Sequence, residues 1–458
     1  GCGGAGQGMV KMALERGDVS GAVEAYQRIG EAEPALLGRV AAALLEKEAL
    51  GSDRDRQQAA LEQLAGAGWC GCAVLQRLAG GAADDPGPAA IAGVEALRLL
   101  AARRDGDAVS RLREMIDAEQ PEVRAAAVSV LRLPEDLGRL LAELESPYPA
   151  VRLAAARALS SANRGGPGAR EGEDGRHQAL LPPEARLALE KSARQDPATS
   201  VRSAALWSLA DARSEAAESI EQALADPERE VRLAAIGALV LADAARAGLV
   251  LGRLLQSDLN EEGITAARHL LARYDDGGGT TLAGSAETAS SADVTGGADT
   301  AVEARSYLKR ALGAADPALR AVAAVSVDAL EQEGFDRQWL LERIEKERVP
   351  RVRLSLVNAV WTGSERDEPL RGALREIGAA GGVSGAYAIA RLAELGDRTA
   401  FNKLQSLLAR GLAAVKRVAA RALGRDLGRP HLVRRALGDE DASVRIAAAG
   451  AVLRRPFK

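Results

Sequence analysis

The sequence has few aromatic side chains: tryptophan, tyrosine and phenylalanine together make up 3% of its 458 residues, whereas apolar residues make up 47%. A chain with so few large rings cannot fill its interior with them, and alanine is abundant in their place. Small side chains let packed helices approach one another closely. The composition therefore favours many close contacts between small-faced helices.

Residues of the common catalytic motifs are also scarce. The chain has three histidines, none within a His-Glu-x-x-His motif, and three cysteines. It contains neither the Walker A phosphate-binding loop nor the Gly-x-Ser-x-Gly turn of serine hydrolases. Carboxylates that are distant in sequence could still meet in space. We expect no enzymatic activity, no metal and no other cofactor.

Neither a basic excess nor a long apolar run is present. The formal net charge is −4, so no overall positive field would attract nucleic acid, although residues 416–458 are locally basic and could hold an anion. No apolar run approaches the roughly 20 residues that span a bilayer as a helix. We expect no nucleic-acid partner, no small-molecule substrate and no membrane-spanning helix.

One sequence phrase recurs along the chain. The Asp-Pro, Val-Arg and Ala-Ala pattern that begins at Asp196 returns at Asp226, and a period of about 20–50 residues indicates stacked repeats. With the valine as position 0, position +4 is mostly Ala and +8 mostly Leu or Val, which share one helix face with position 0. The residues at position 0 are Val123, Val151, Val201, Val231, Leu319, Val352 and Val444, and weaker matches to the pattern have Ala92, Gly263, Gly385 and Val415 at this position.

The repeated unit, two helices joined by a turn, resembles the HEAT repeat and is most similar to the short HEAT-like repeats of phycobilisome-lyase proteins. Residues 396–424 and 438–453 carry the resemblance. It implies an all-α fold, a HEAT-like α-solenoid in which antiparallel helix pairs form a right-handed superhelix. The array is predicted over residues 92–458. Disordered insertions are predicted at 161–178 and 275–300, where Gly, Ser, Thr and Asp replace the apolar pattern.

The N-terminal part departs from this pattern. Glu15–Glu46 resembles a single tetratricopeptide-like hairpin, and residues 10–91 are predicted to form an N-terminal helical cap of that hairpin and divergent repeats. Both ends of the array are expected to be capped, because one face of a terminal repeat must meet water. Residues 1–9 are predicted to form a lipidation site and a flexible tether.

Cys2 and the glycine-rich run after it resemble the start of a mature bacterial lipoprotein. The resemblance implies an acylated Cys2 and a lipid-anchored protein of the bacterial cell envelope, and Gly3 favours the periplasmic face of the outer membrane. A cloning remnant or a truncation would explain the same residues. Cys70 and Cys72 are interpreted as two small thiols, since their spacing suits neither an unstrained disulfide nor a complete metal site.

An arginine follows position 0 in most repeats. One interpretation is a basic row that binds phosphate or anionic lipid. The other is a structural ladder, in which each guanidinium contacts a loop aspartate or a backbone carbonyl of an adjacent repeat. We favour the structural ladder because this arginine is common in HEAT-like repeats of many functions. Its members are Arg124, Arg152, Arg202, Arg232, Arg320, Arg353 and Arg445.

Positions +2, +6 and +9 lie opposite the buried face, and in HEAT-like repeats this helix lines the concave surface. Tryptophan and arginine are frequent interface anchors, so we predict a protein-binding surface there. Packing of Trp207 and Trp361 against a neighbouring helix or insertion is the alternative. The candidate residues are Arg157, Trp207, His269, Asn358, Trp361, Arg391 and Arg421.

The sequence thus predicts a non-enzymatic, membrane-tethered HEAT-repeat lipoprotein that acts as a scaffold or adaptor for a protein partner or complex. HEAT-like repeats serve lyases, scaffolds and adaptors, so the resemblance specifies a fold and leaves activity open. The alternatives are a cytoplasmic HEAT adaptor and a chromophore-handling protein similar to phycobilin lyases.

Overall fold

A computed structural model describes residues 2–29, 34–81, 88–160, 181–275, 291–330, 335–361 and 368–454. All regular secondary structure in these ranges is helical. The chain divides into two compact units: the first combines residues 1–112 with 365–458, and the second comprises residues 113–364. Within the described ranges, no helix is both long and apolar enough to cross a membrane.

The described part of the second unit contains thirteen α-helices, with short 3-10 segments at Ala210–Ala216 and Ala223–Ala225. The helices are α8 (Pro121–Val128), α9 (Leu137–Leu144), α10 (Pro149–Ala158), α11 (Pro183–Gln195), α12 (Thr199–Leu209), α13 (Ala217–Gln222), α14 (Arg229–Ala242), α15 (Ala244–Leu255), α16 (Glu261–Asp275), α17 (Ser291–Leu312), α18 (Pro317–Ala329), α19 (Arg337–Lys346) and α20 (Pro350–Val360).

The even-numbered helices of this unit, which carry position 0, stack in one row: α8, α10, α12, α14, α16, α18 and α20. Their partner helices pack alongside, with α9 against α11 and α15 against α17. Each element therefore packs mainly on its neighbours instead of around one central core, as expected of stacked repeats. This arrangement confirms the predicted all-α, α-solenoid fold class.

The repeated small residues form the contact between stacked helices. Every alanine at position +4 has no exposed surface, and the leucine or valine at +8 is almost or completely buried. Because alanine adds only a methyl group, successive helices approach closely at this position. The alanines are Ala127, Ala155, Ala205, Ala235, Ala267, Ala323, Ala419 and Ala448.

The Asp-Pro pairs form the turns that precede the stacked helices. The carboxylates of Asp196, Asp226 and Asp316 each accept a hydrogen bond of 2.8 Å from the backbone N–H two residues later. Short polar side chains stabilise turns and helix starts in this way, and the proline pre-sets the backbone. The carboxylates of Asp196 and Asp226 also accept hydrogen bonds from ladder arginines.

The ladder arginines link one repeat to the next. Arg152 binds Asp196 through two hydrogen bonds of 2.7 and 2.9 Å, and its Nη1 donates to the carbonyl oxygen of Ser146 at 2.9 Å. Arg202 repeats this geometry on Asp226, with two bonds of 3.0 Å. These guanidinium groups are therefore occupied by contacts within the stack.

Four further ladder arginines lie in the second unit. Arg232 binds a carboxylate oxygen of Glu262, and Arg320 binds both carboxylate oxygens of Glu347. In addition, Arg124 donates to the carbonyl oxygen of Ala118 at 3.1 Å, and Arg353 lies on α20 with its Nε atom buried. The ladder arginines Arg124, Arg152, Arg202, Arg232 and Arg320 thus each contact a turn carbonyl or an acid of the following repeat.

At Gly263, a weak member of the repeat register, the side chain of a neighbouring helix fills the space left by the glycine. A Cβ atom there would lie 2.2 Å from the hydroxyl oxygen of Tyr307, a fully buried residue of α17. That hydroxyl donates to the carbonyl oxygen of Asp258 and accepts from the backbone N–H of Asn260, both at 3.0 Å. The glycine therefore leaves room for the tyrosine ring, whose hydroxyl stabilises the turn at residues 258–260 through these two hydrogen bonds.

The first unit contains helices from both ends of the chain, together with a π-helical turn at Ala422–Asp426 and a 3-10 helix at Pro430–Gly438. Its helices are α1 (Cys2–Glu15), α2 (Val19–Arg28), α3 (Pro34–Ala49), α4 (Arg54–Ala65), α5 (Gly68–Gly80), α6 (Pro88–Ala102), α7 (Gly106–Glu114, which ends just past the unit boundary), α21 (Glu368–Ala380), α22 (Gly382–Glu394), α23 (Arg398–Arg410), α24 (Ala413–Arg421) and α25 (Ala442–Leu453).

The two ends of the chain meet where α25 packs against α3 and α4. The ladder residue Arg445 binds Glu48 of α3 through Nε and Nη2, at 3.2 and 2.6 Å. In the second unit, the acid that binds a ladder arginine belongs to the following repeat. Arg445 instead binds Glu48, which lies 397 residues earlier in the chain. The N-terminal helices therefore continue the stack after α25. Water-facing caps were predicted at both ends, and at this junction the two ends cover each other instead.

Several predicted segments differ from, or lie outside, the described structure. Helix α1 starts at Cys2, where residues 1–9 were predicted to form a flexible tether. Residues 291–300 of the second predicted insertion belong to α17, whereas 161–178 and 276–290 lie outside the described residues. Cys72 is a half-buried free thiol, and the side chains of Cys2 and Cys70 are not among those described.

Candidate functional site

Three residues at position +6 of successive repeats lie next to one another on the surface of the second unit. Trp207 of α12, Gly237 of α14 and His269 of α16 come from three successive helices of the stacked row, and we call them the Trp207 cluster. The ring centroids of Trp207 and His269 are 6.3 Å apart, with the ring planes inclined at 52°. The stacking of the repeats thus places two ring systems side by side on one face.

Gly237 provides the space in which the indole lies. A Cβ atom at this position would be 2.3 Å from Cη2 of Trp207 and 3.1 Å from Nε2 of His269. Any larger residue would displace one or both rings. The indole therefore lies across α14 and keeps 41% of the Trp207 surface exposed, which is a large apolar area for a residue on a stacked helix.

The imidazole of His269 is held in its neutral form. Burial, with a smaller effect from the charge of Arg268, lowers the pKa of His269 to about 4. The Nη2 atom of Arg268 lies 2.9 Å from Nε2 of His269, and the neutral ring accepts a hydrogen bond there when its proton is on Nδ1. At neutral pH the Trp207 cluster consequently presents two uncharged rings beside one arginine.

A cleft of about 530 Å³ opens beside the indole. Trp207 lines it together with Arg157, Asp211 and Glu230, so that one apolar surface is surrounded by charges of both signs. The hydroxyl of Ser203 also lines this cleft, and its oxygen is buried without a hydrogen-bond partner among the described residues. This combination can receive an apolar side chain and hydrogen-bond the polar groups around it.

The remaining predicted residues are not part of this cluster. On α20, Asn358 is half-buried and its carbonyl oxygen accepts the backbone N–H of Trp361, which is half-buried at the end of the same helix. Arg391 forms an exposed ion pair of 2.9 Å with Glu394. Arg421 lines a separate cleft within the first unit. The structure therefore brings together Arg157, Trp207 and His269 only.

Sequence reasoning missed the residues that position these three. Gly237 interrupts a series of larger +6 residues, and a glycine between Trp207 and His269 in the register was a usable signal. Arg268 and Ser203 gave no such signal: Arg268 is the sequence neighbour of His269 but does not stand out from the other arginines of the chain, and the burial of the Ser203 hydroxyl cannot be predicted from the residues beside it. Among the described residues, no group of three or more His, Cys, Asp or Glu is placed to hold a metal ion.

No protein-family model and no curated protein sequence matches this chain. Solved structures that resemble it include a chain of the S. pombe condensin Cnd3-Cnd2 subcomplex, with 14% identity, a TM-score of 0.33, and coverage of 95% of this chain and 68% of that chain. A chain from a complex of Kap95p with RanGDP has 13% identity and a TM-score of 0.33, covering 93% and 73%. A chain of the Pds5-Scc1 complex has 12% identity and a TM-score of 0.32, covering 95% and 80%.

Proposed function

We propose that this protein is a non-enzymatic scaffold that binds a protein partner through the Trp207 cluster and the cleft beside it. The observation that carries the proposal is the position of the indole. Only 3% of the residues are aromatic, yet Trp207 is 41% exposed. Its indole lies against Gly237, where any side chain would collide with the ring. An indole fixed in this way loses little conformational freedom when a partner covers it, which favours binding.

The chemistry around the indole fits a protein surface. Tryptophan is enriched among the residues that contribute most to protein interfaces, and it offers a broad apolar face. Because His269 is neutral, covering the ring pair removes no imidazolium charge from water. Arg157, Asp211 and Glu230 also line the cleft, so its rim carries charges of both signs, which favours a partner surface of mixed charge. The partner side chain at the centre should therefore be apolar or aromatic.

Substitution of Trp207 tests this proposal directly. Tagged wild-type protein and a Trp207→Ala variant would be purified from the native host, and proteins recovered with each would be quantified by mass spectrometry. The matched control is Leu249→Ala, because Leu249 is 76% exposed on α15 and lies outside the cleft.

A specific partner should be recovered with the wild type and the Leu249→Ala variant and be depleted with Trp207→Ala. Reconstitution with the purified partner should then show a Kd at least about tenfold weaker for Trp207→Ala, as for a residue at the centre of an interface. Equal recovery of every partner with Trp207→Ala and wild type would contradict the proposal.

We further propose that the scaffold is tethered to a bacterial membrane by acylation of Cys2, on the periplasmic face of the outer membrane. The support is the resemblance of Cys2 and the residues after it to the start of a mature lipoprotein. Several acyl chains suffice for stable anchoring where one does not. Intact mass spectrometry of protein from the native membrane should show acyl chains on the N-terminal peptide. A Cys2→Ala variant that still fractionates with membranes would contradict the tether.

A further inference from the structure

A second cleft, of about 390 Å³, lies within the first unit, where α22, α24 and α25 meet the N-terminal helix α4. Four arginines line it, namely Arg417, Arg421, Arg425 and Arg454, and we call it the arginine pocket. Among the described residues that line the pocket there is no aspartate or glutamate. Its volume is that of a small-ligand site, and its charge is of one sign.

The sequence places these charges on one side of the stack. Arg417, Arg421 and Arg425 follow one another at four-residue intervals along α24 and the π-helical turn after it, so they share a face. Like charges at this spacing destabilise a helix. The floor beneath them is made of small residues, and a Cβ atom at Gly424 would lie 2.8 Å from Cβ of Ala451. The four arginines thus line the cleft together with small residues of the packed helices, Ala414, Ala447 and Ala451.

The fourth arginine, Arg454, has a buried donor atom. Nε of Arg454 is buried and has no hydrogen-bond partner in the part of the chain that the structure describes. Its guanidinium lies against Gly66 of the N-terminal segment, where an added Cβ atom would be 2.7 Å from Nε. Burial lowers the pKa of Arg454, and the charges of Arg425 and Arg421 lower it further. A buried donor beside like charges is unfavourable unless an anion accepts from it.

The nearby acids neutralise the cluster only in part, through an ion pair between Arg425 and Asp426. Asp426 is the sequence neighbour of Arg425, with its carboxylate oxygen 3.8 Å from the guanidinium, too far for a hydrogen bond. The charge of Arg417 contributes only weakly to the lowered pKa of Asp441, after that residue's hydrogen bonds with Ser443. The arginine pocket therefore keeps an excess of positive charge that solvent or an anionic ligand must balance.

We propose that the arginine pocket binds the phosphate group of an organic ligand. Arginine presents a planar fork that matches phosphate oxygens in pairs, which a lysine cannot do. Tyr387 and Val383, which are both exposed at the rim, offer an aromatic and an aliphatic surface for the organic part. The phosphate could belong to a soluble metabolite or to a lipid headgroup. This site lies in a different unit from the Trp207 cluster, so loss of phosphate binding would not affect the proposed protein-binding site, nor the reverse.

Isothermal titration calorimetry on the full chain tests the proposal, with sodium pyrophosphate and glycerol 3-phosphate as probes. Arg421→Gln removes one exposed guanidinium from the pocket. Arg398→Gln, on an exposed position of α23 outside the pocket, is the matched control for the same change of net charge. Arg454→Lys keeps the charge but removes the fork. Circular dichroism would show that each variant retains the wild-type helix content.

Saturable binding of pyrophosphate should weaken about tenfold in Arg421→Gln, the loss expected for a charge-assisted hydrogen bond, and should change less than about twofold in Arg398→Gln. Arg454→Lys should also weaken binding although its charge is kept. The proposal would be overturned if the wild type showed neither saturable binding of the probes up to about 1 mM nor binding to the vesicles of the lipid arm. An equal loss in Arg398→Gln would also overturn it, because the loss would then reflect net charge alone.

A flotation assay separates the two sources of phosphate. Binding to phosphatidylcholine vesicles that contain phosphatidylglycerol, absent with phosphatidylcholine alone and lost in Arg421→Gln, would assign the pocket to a lipid headgroup. Binding of glycerol 3-phosphate in solution without vesicle binding would assign it to a soluble ligand. Binding to neither, together with no binding of pyrophosphate, would exclude a phosphate site.

Discussion

Removal of Arg152 would measure what one ladder pair contributes to the stability of the stack. Its guanidinium donates two hydrogen bonds to Asp196 and a third to the carbonyl oxygen of Ser146, all at 2.9 Å or less. Only 10% of the arginine side chain and 5% of the aspartate side chain are exposed. Of the ladder pairs described, this one is therefore among those most shielded from solvent.

The structure sets the expected size of the effect. Arg152→Ala leaves a buried carboxylate without its cation, and breaking a buried pair in this way costs about 3–5 kcal/mol. Asp196 would keep the hydrogen bond of 2.8 Å from the backbone N–H of Ala198, so we expect the lower end of that range, about 3 kcal/mol. The double variant Arg152→Ala/Asp196→Ala removes both charges, and its loss should be smaller than the sum of the two single losses by about 2 kcal/mol.

Urea unfolding followed by tryptophan fluorescence is the appropriate assay, because three of the four tryptophans, Trp207, Trp339 and Trp361, lie in the second unit. The control is Lys191→Ala, since Lys191 pairs with Glu145 on the surface of the same repeats, with both side chains more than half exposed. An exposed pair contributes at most about 1 kcal/mol. Equal losses in Arg152→Ala and Lys191→Ala, or additive losses in the double variant, would refute the reasoning.

The same pair predicts a pH dependence. Burial alone would raise the pKa of Asp196, but the hydrogen bonds from Arg152 and from the backbone of Ala198 lower it below its ordinary value. A carboxyl group with a lowered pKa in the folded state contributes stability above its unfolded pKa and loses it as the pH falls towards the folded value. The free energy of unfolding should therefore decrease below about pH 4, and this decrease should be shallower in Arg152→Ala.

Three further predictions concern single positions. The NMR imidazole signal of His269, identified by its loss in His269→Gln, should titrate with a pKa of about 4, and a midpoint near the ordinary value of about 6.5 would contradict the burial of the ring. Gly263→Ala should lower stability by about 1–3 kcal/mol in thermal unfolding, because the new methyl would overlap Tyr307, whereas Gly138→Ala, with open space around it, should not. Glu48→Gln should increase hydrogen exchange in α25, because the last ladder arginine loses its acid, and unchanged exchange would show that the pair does not secure this helix.

The buried face of the repeats could be predicted from the sequence because it depends on local spacing. Every +4 alanine from Ala127 to Ala448 is fully buried, as a period of 3.6 residues per turn requires. The Trp207 cluster could be predicted in part: the exposed indole and His269 were identified, but the seat at Gly237 depends on a contact between helices of successive repeats.

The junction of the two ends could not be predicted in this way. Arg445 has the same sequence context as the other ladder residues, and nothing local indicates that its acid is Glu48. The arginine pocket is similar, since Arg417, Arg421 and Arg425 are regularly spaced but Arg454, about 30 residues later, joins them through the packing of α25 against α24 and α4. Contacts between distant parts of a chain leave no periodic signal, because periodicity reports only which residues share a helix face.

The packing of α25 against α3 and α4 has a consequence for synthesis of the protein. The first unit cannot be completed until residues 365–458 have left the ribosome, although residues 1–112 emerge first. At about 5–20 residues per second, the intervening second unit takes on the order of 10–50 seconds to translate. During that time the apolar faces of α3 and α4 lack their cover. The nascent N-terminal helices therefore expose apolar surface during synthesis, and the stack is completed only when the last helix arrives.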